Sequence, residues 1–260
     1  PASEFAATDL FGIDTLGSTG DGAEPGFRST FPCDAGIRLD TSAASTELTS
    51  RLTQGKWIYT DQTGTESTAN FAQFDYQNGW GASTSTASNY YGYMFRRAKG
   101  FFDVVTYDGT GSDRTQTHNL GVAPELILIK RRGPSGADWV WYVGPLGAGN
   151  YMYGDAGAKL SSTTVWNNTS PTESVFSLGS QTGASYYRVN GSGSTYIAYL
   201  FATVAGISKI GSYTGTGSDL NVDCGFSAGA KFVLIKRTDG TENTSVGNWY
   251  VYDSARGIVA

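Results

Sequence analysis

Along this chain, short apolar runs alternate with clusters of Gly, Asn, Asp and Ser, and the spacing of a helical stripe almost never persists. In the middle of the sequence the pattern predicts strands near 101–107, 114–118, 125–131, 138–143, 163–167, 174–178, 185–189 and 195–203. Three runs are apolar at consecutive positions: Leu126-Ile127-Leu128-Ile129, Tyr196-Ile197-Ala198-Tyr199-Leu200-Phe201 and Phe232-Val233-Leu234-Ile235. Such runs suit central strands covered on both faces. Their shortness, β-branching and Gly-rich flanks favour strand over buried helix. Asp108-Gly109 and Thr214-Gly215 predict tight hairpin turns, because glycine adopts positive φ freely, and Asn78-Gly79 and Asn190-Gly191 predict further turns. A helix is expected only over 43–54, where Leu48 and Leu52 stand four apart and Gly55 follows.

The pattern repeats. Residues 90–132 align without a gap onto 196–238, always 106 positions later. Tyr90, Tyr93, Phe95, Gly100 and Tyr107 match Tyr196, Tyr199, Phe201, Gly206 and Tyr213. Gly109-Thr110-Gly111-Ser112-Asp113 returns as Gly215-Thr216-Gly217-Ser218-Asp219, and Leu128-Ile129-Lys130-Arg131 as Leu234-Ile235-Lys236-Arg237. After a small insertion, Asp138-Trp139 corresponds to Asn248-Trp249 and Tyr142 to Tyr252. A degenerate earlier copy follows from Ile13-Asp14-Thr15-Leu16, which resembles Phe102-Asp103-Val104-Val105, and from Gly64-Thr65-Glu66-Ser67, which resembles Pro171-Thr172-Glu173-Ser174. No counterpart of the Leu-Ile-Leu-Ile-Lys strand is evident in that copy. The expected organisation is a degenerate N-terminal repeat at 1–98, a central β-sandwich repeat at 99–205 and an incomplete C-terminal repeat at 206–260. Eight strands in about 106 residues suit an all-β protein of tandem β-sandwich repeats, of jelly-roll or immunoglobulin-like size. Because the last copy stops partway through the unit, the native product is expected to continue past Ala260.

Composition narrows the chemistry. Among 260 residues there are 35 Gly, 13% aromatic and only 16% charged residues, which reads as folded and β-rich. The net charge of −5 and the shortness of Arg96-Arg97 and Lys130-Arg131-Arg132 argue against a nucleic-acid surface. No apolar run is long enough to span a bilayer as a helix. Cys33 and Cys224 lie far apart without ligand spacing, so neither a disulfide framework nor a metal site is expected. His118 is the only histidine, and its repeat counterpart is Cys224; a turn or strand-edge role suits it better than that of a general base. Asp103, Asp108, Asp113, Asp138, Asp155 and Glu173 could supply the paired acids of a glycosidase. Asp113 returns as Asp219, however, and an acid repeated within a turn is more simply a turn-stabilising side chain. The Gly-x-Gly runs lack the third glycine and following helix of a phosphate cradle. No catalytic, metal-binding or cofactor-binding residue is therefore expected.

The aromatic clusters give the one positive hint of binding. Trp139, Trp141 and Tyr142, and later Trp249, Tyr250 and Tyr252, put rings on both faces of a strand. Burial between sheets or at a subunit contact is the simpler reading. The alternative is a stacking platform for a glycan or partner, with Trp141 and Tyr250 as the outward rings.

The block from Phe101-Phe102-Asp103-Val104-Val105-Thr106-Tyr107 through His118-Asn119-Leu120-Gly121-Val122-Ala123-Pro124-Glu125 to Lys130-Arg131 resembles a repeated domain of tailed-phage virion proteins. The block from Tyr196 to Arg237 is similar to the same family, which occurs in tail-fibre-type structural components of marine and cyanobacterial phages. The resemblance covers residues 90–260 well and the first 89 loosely. It implies a non-enzymatic structural protein at the virion surface, a homo-oligomer, with a trimer expected, that contacts other virion proteins. Host-surface glycan adhesion is the implied further role, and a polysaccharide depolymerase or a secreted bacterial lectin-like adhesin are the alternatives.

Overall fold

A computed structural model describes residues 4–16, 24–42, 45–53, 55–81, 89–154, 157–180, 188–239 and 249–258. The fold is predominantly β, with several antiparallel sheets. In the first part of the chain, β1 (Phe11–Thr15), β3 (Ala35–Asp40), β4 (Ser45–Ser50), β5 (Lys56–Tyr59), β6 (Ser67–Thr68) and β8 (Tyr90–Phe95) form a six-stranded sheet. Its order is β1-β8-β3-β4-β5-β6, while β2 (Phe27–Arg28) pairs separately with β7 (Gly79–Trp80).

The middle of the chain repeats that plan. Here β9 (Phe102–Asp108), β11 (Leu126–Gly133), β12 (Val140–Val143), β13 (Asn150–Tyr153), β14 (Leu160–Ser161) and β16 (Thr195–Phe201) give the order β9-β16-β11-β12-β13-β14. Again a separate pair stands apart, β10 (Arg114–Thr117) with β15 (Val175–Leu178). In both sheets the last long strand, β8 or β16, lies between the first strand and the second. Registers agree as well: Phe95 faces Phe11 and Ala35, as Phe201 faces Phe102 and Leu126.

Three sequence expectations are corrected by these registers. The first copy does possess a counterpart of the Leu-Ile-Leu-Ile-Lys strand: it is β3, disguised because Ala35-Gly36-Ile37-Arg38-Leu39 is small and polar at alternate positions. Ile13 occupies the place of Val104 rather than of Phe102, a shift of two residues that keeps the same face. Likewise Ser67 lies in β6, whose counterpart is β14, so it does not correspond to Ser174.

Residues 45–50 of the expected helix form strand β4. Hydroxyl and β-branched residues dominate that segment, and it pairs with β3 along six consecutive positions. Leu48 is buried while Leu52 is exposed in a short 3-10 turn. Residues 163–167 form bends and turns rather than a strand, because Asn167 and Asn168 take positive φ. Of the strand expected at 185–189, only 188 and 189 are described, and neither is in a strand. The strand β13, which the sequence pattern missed, lies among Gly147, Gly149 and Gly154.

Gly109 does not make a hairpin. The strands flanking it belong to different sheets, β9 with β16 and β10 with β15, so the Gly109–Asp113 stretch is a crossover. A Cβ at Gly109 would lie 2.2 Å from the Gly191 oxygen, so glycine is needed there for close approach.

The third stretch contains one hairpin, β17 (Phe232–Ile235) with β18 (Tyr250–Asp253). It has the register of β11 with β12: Phe232 faces Asp253 as Leu126 faces Val143. Among the described residues β17 pairs only with β18. The expectation of a central strand covered on both sides therefore fails for Phe232–Ile235, while β11 and β16 meet it.

Side-chain packing follows the two-residue period. Tyr196, Ala198 and Leu200 point into the core of the central copy with Ile127, Ile129 and Trp166. The alternate residues Ile197 and Tyr199 face the first sheet, where Tyr93, Phe95, Leu48 and Ile58 join them in one cluster. Phe95 meets its own counterpart Phe201, with ring centroids 5.6 Å apart, so equivalent faces of the two sheets pack together. The core of the first copy is smaller and built on Phe27, Phe31, Phe74 and Trp80. Gly36 and Gly92 replace Ile127 and Ala198 there, and a Cβ on either would strike the Trp80 or Phe27 ring at 2.2 or 2.5 Å. Large rings above the sheet thus fill the volume that its own side chains give up.

Candidate functional site

The aromatic residues singled out in the sequence divide into a covered and an open set. Just before β12, Trp139 donates its indole N–H to the Tyr59 carbonyl at 2.7 Å, and the Lys130 Nζ lies 5.7 Å from its ring. Trp141 is buried against Trp249, with centroids 3.9 Å apart. Tyr142 points into the central core, edge-on to Trp166, and burial raises its phenol pKa. These three rings therefore offer no open stacking face.

In the third copy Tyr252, the counterpart of Tyr142, and its neighbour on the same face Tyr250 are open. Tyr250 is 54% exposed and Tyr252 49% exposed. Being two apart in β18 they share a face, opposite Ile235 and Val233 of β17. Of the two rings expected to point outward, Tyr250 does and Trp141 does not. Trp249 sits between the two sets, with the Lys236 Nζ 5.2 Å from its ring, repeating the Lys130–Trp139 pair.

The hairpin is anchored to the first sheet by a buried polar cluster. Tyr93 donates its hydroxyl to Asp253 Oδ2 at 2.8 Å, and Arg256 donates to the same carboxylate and, at 3.0 Å, to the Tyr93 oxygen. Desolvation, and then the Asp253 carboxylate, push the Tyr93 phenol well above its usual range. For Asp253, burial works to raise the pKa, but the hydrogen bonds from Tyr93 and Arg256 and the Arg256 charge outweigh it and lower the value. Apolar contact completes the anchor, with Phe232 lying 5.2 Å from Tyr93 and 5.7 Å from Phe11.

Of the residues considered for catalysis, His118, Asp103 and Asp113 are engaged in structure, while Asp108 and Glu173 are exposed. His118 is buried against Phe176; its Nδ1 accepts from the Leu120 N–H at 3.2 Å and its Nε2 donates to the Thr172 carbonyl at 3.2 Å. Burial lowers its pKa, so both ring nitrogens serve a neutral imidazole. Asp103 is buried and bound by Arg97 and by the Asn119 N–H. Asp113 accepts from the Ser180 N–H, far along the chain, and not from its own turn. Asp155 lies outside the described residues. Among the described residues no group of three His, Cys, Asp or Glu side chains could hold a metal ion. No described helix is long and apolar enough to cross a membrane.

Sequence reasoning missed several polar residues that tie distant segments together. Asn190 is fully buried; it accepts from the Thr110 N–H and donates to the Ser112 and Gly179 carbonyls. The basic run is also structural. Lys130 donates to the carbonyls of Gln62 and Ala137, Arg131 to those of Ser135 and Gly136, and Arg132 pairs with Glu66. Gln62 and Glu66 belong to the first copy, so Lys130 and Arg132 bind the two sheets together. The only sequence signal was the return of Lys-Arg after the second apolar strand, which marked the positions without showing their partners.

These features define an all-β protein whose antiparallel sheets share one strand order. The chain belongs to the family described as domain of unknown function DUF7483, which matches residues 34–259. That stretch begins just before β3 and leaves out β1, which is nonetheless hydrogen-bonded to β8. No curated protein and no solved structure matches the chain.

Proposed function

We propose that this chain is a structural component of a phage tail fibre or a related virion surface appendage, built from tandem β-sandwich repeats of jelly-roll or immunoglobulin-like size. The observation that carries the reading is the packing of equivalent aromatic faces against each other, with Phe95 on Phe201 and Trp141 on Trp249. Repeated positions are thereby spent on joining copies rather than on lining a cleft. The resemblance of residues 90–260 to repeated domains of tailed-phage virion proteins supports the same reading. On this view the protein is non-enzymatic, needs no cofactor and works outside the cell on the particle surface. It contacts other copies of itself, as in a trimer, and other virion proteins.

The test is to locate the chain. Mass spectrometry of gradient-purified virions should find it in stoichiometric amount, and gold-labelled antibody should mark the tail or its fibres. Its absence from intact particles would sink the proposal. A second reading, host-glycan adhesion, is favoured by the exposed Tyr250 and Tyr252 on one face of β18. It predicts glycan-array binding that Tyr252→Ala abolishes. A depolymerase would instead reduce the viscosity of host polysaccharide.

A further inference from the structure

Successive copies touch through contacts that recur position for position. Ser50 faces Ala35, Val143 faces Leu126 and Asp253 faces Phe232, so Ser50, Val143 and Asp253 are one position in three copies. Tyr93 and Tyr199 are likewise equivalent, facing Ile37 and Leu128. From the first copy to the second, the Glu66 N–H donates to the Arg132 carbonyl at 3.2 Å; from the second to the third, the Lys159 N–H donates to the Thr238 carbonyl at 3.2 Å. Glu66 and Lys159 each stand just before the short edge strand, β6 or β14, and Thr238 follows Arg132 by the repeat offset of 106. The operation that carries the first copy onto the second therefore carries the second onto the third. Another contact returns to the start. The Tyr199 hydroxyl of the second copy is hydrogen-bonded to Ser50 of the first. Its equivalent is the 2.8 Å bond from Tyr93 of the first copy to Asp253 of the third. The third copy thus stands to the first as the first stands to the second. Phe95 meets its own counterpart Phe201 at 5.6 Å, as equivalent positions do near a common axis.

We infer that the three copies close a ring about a pseudo-threefold axis, so that one chain makes within itself the interface that a homotrimer makes between chains. Head-to-tail contacts of this kind either close into a ring or continue as a helix, and the bond from Tyr93 back to Asp253 is the closure. The partner of each inner face is accordingly the chain's own next copy. Covalent linkage holds that partner at a high effective concentration. It also frees the contacts to differ, as they could not in a true homotrimer. The shared position is Ser50 where the first copy meets the second, and Asp253 where the third meets the first; there Arg256 binds both the carboxylate and the Tyr93 oxygen. Whole chains that associate further, as in the trimer proposed above, use outer faces, because the inner ones are occupied. The inference does not rest on the virion reading.

The experiment uses the full chain in a Cys224→Ser background, Cys33 being buried. Three double variants put one cysteine on each side of a contact: Glu66→Cys with Arg132→Cys, Lys159→Cys with Thr238→Cys, and Tyr91→Cys with Arg256→Cys. The last pair flanks the closing contact, since the Arg256 guanidinium lies 5.9 Å from the Tyr91 ring. A short bis-maleimide should join all three pairs within single chains, as read by peptide mapping of the monomer band. Chains carrying only one cysteine of a pair, mixed in equal amounts with chains carrying the other, should not be joined. Joining between chains would mean that the hairpin is exchanged between molecules, and would overturn the ring. Joining of the first two pairs without the third would mean an open arrangement, and would overturn it equally. In the otherwise native chain, Tyr93→Phe should speed hydrogen exchange in 232–235 and 250–253 about fivefold, by removing one buried hydrogen bond. Unchanged exchange there would count against closure. Light scattering keeps the two proposals apart. A trimer whose links all lie within chains supports both, whereas a monomer with the same links supports the ring and counts against the association through outer faces.

Discussion

Tyr107 and Tyr213 stand at the same place in the repeat, and their surroundings are opposite. Tyr107 is 7% exposed, stacks 5.2 Å from Tyr196 and donates its hydroxyl to the Val189 carbonyl, whereas Tyr213 is 50% exposed. The basic residues diverge in the same way: Arg131 binds two carbonyls in a buried setting, while Arg237 pairs with Asp239 in the open. The turn between them does not diverge. Ser112 N–H donates to the Thr110 hydroxyl as Ser218 N–H does to Thr216, and Gly111 and Gly217 have φ of 78° and 77°. Interactions that close within a few residues survive in both copies. The burial of Tyr107 instead depends on partners far along the chain, the Tyr196 ring of β16 and the Val189 carbonyl.

The largest test of this contrast is a pair of substitutions. Tyr107→Ala removes a buried ring and leaves a cavity, and should cost about 3–5 kcal/mol in urea unfolding. Tyr213→Ala, at the equivalent exposed place, should change stability by no more than about 0.5 kcal/mol. Equal losses at the two sites would mean that the third copy is packed like the second. Next in size is Asp253→Ala, which strands the buried Tyr93 hydroxyl and the Arg256 guanidinium; a cost of about 2–3 kcal/mol is expected for docking the β17–β18 hairpin. The near-UV signal of the Trp141–Trp249 pair should report it, with little change in far-UV dichroism. Smaller again, Asp113→Ala should cost about 1 kcal/mol by freeing the Ser180 N–H, and Asp219→Ala should cost nothing measurable.

The smallest effect is in pH. Asp253 has a folded pKa below its ordinary value of 3.8, so its contribution is complete above that value and is lost as pH falls through the folded pKa. The hairpin should therefore undock in acid, read by the same tryptophan signal, and Asp253→Asn should remove that dependence. His118 acts in the central copy. Burial lowers its pKa from 6.5, so the unfolded chain binds the proton better and stability declines as pH falls below 6.5. His118→Asn should flatten that part of the urea-midpoint profile.

Strands such as β11 and β17 were legible because their consecutive apolar runs recur in both sequence copies. Strand β3 was not, because it trades large residues for Gly36 and compensates with Trp80, which comes from another strand. Strand β4 was misjudged because Leu48 and Leu52 fit a helical spacing, and only pairing with β3 decides otherwise. Of the candidate site, the positions were visible as repeated aromatics. Their exposure was not, since Tyr142 and Tyr252 are equivalent in sequence and differ only in what lies above them.

Local pattern by itself determined the strand-rich character and the turn at Thr110 and Thr216, because each depends on residues a few positions apart, and its return 106 positions later gave the tandem relation of the copies. Tertiary structure alone decided which distant strands pair, β9 and β11 each with β16, and which faces meet, with Phe95 on Phe201. A first strand and a second strand that never pair directly must wait for a third to come between them, and no property of either strand announces whether it will.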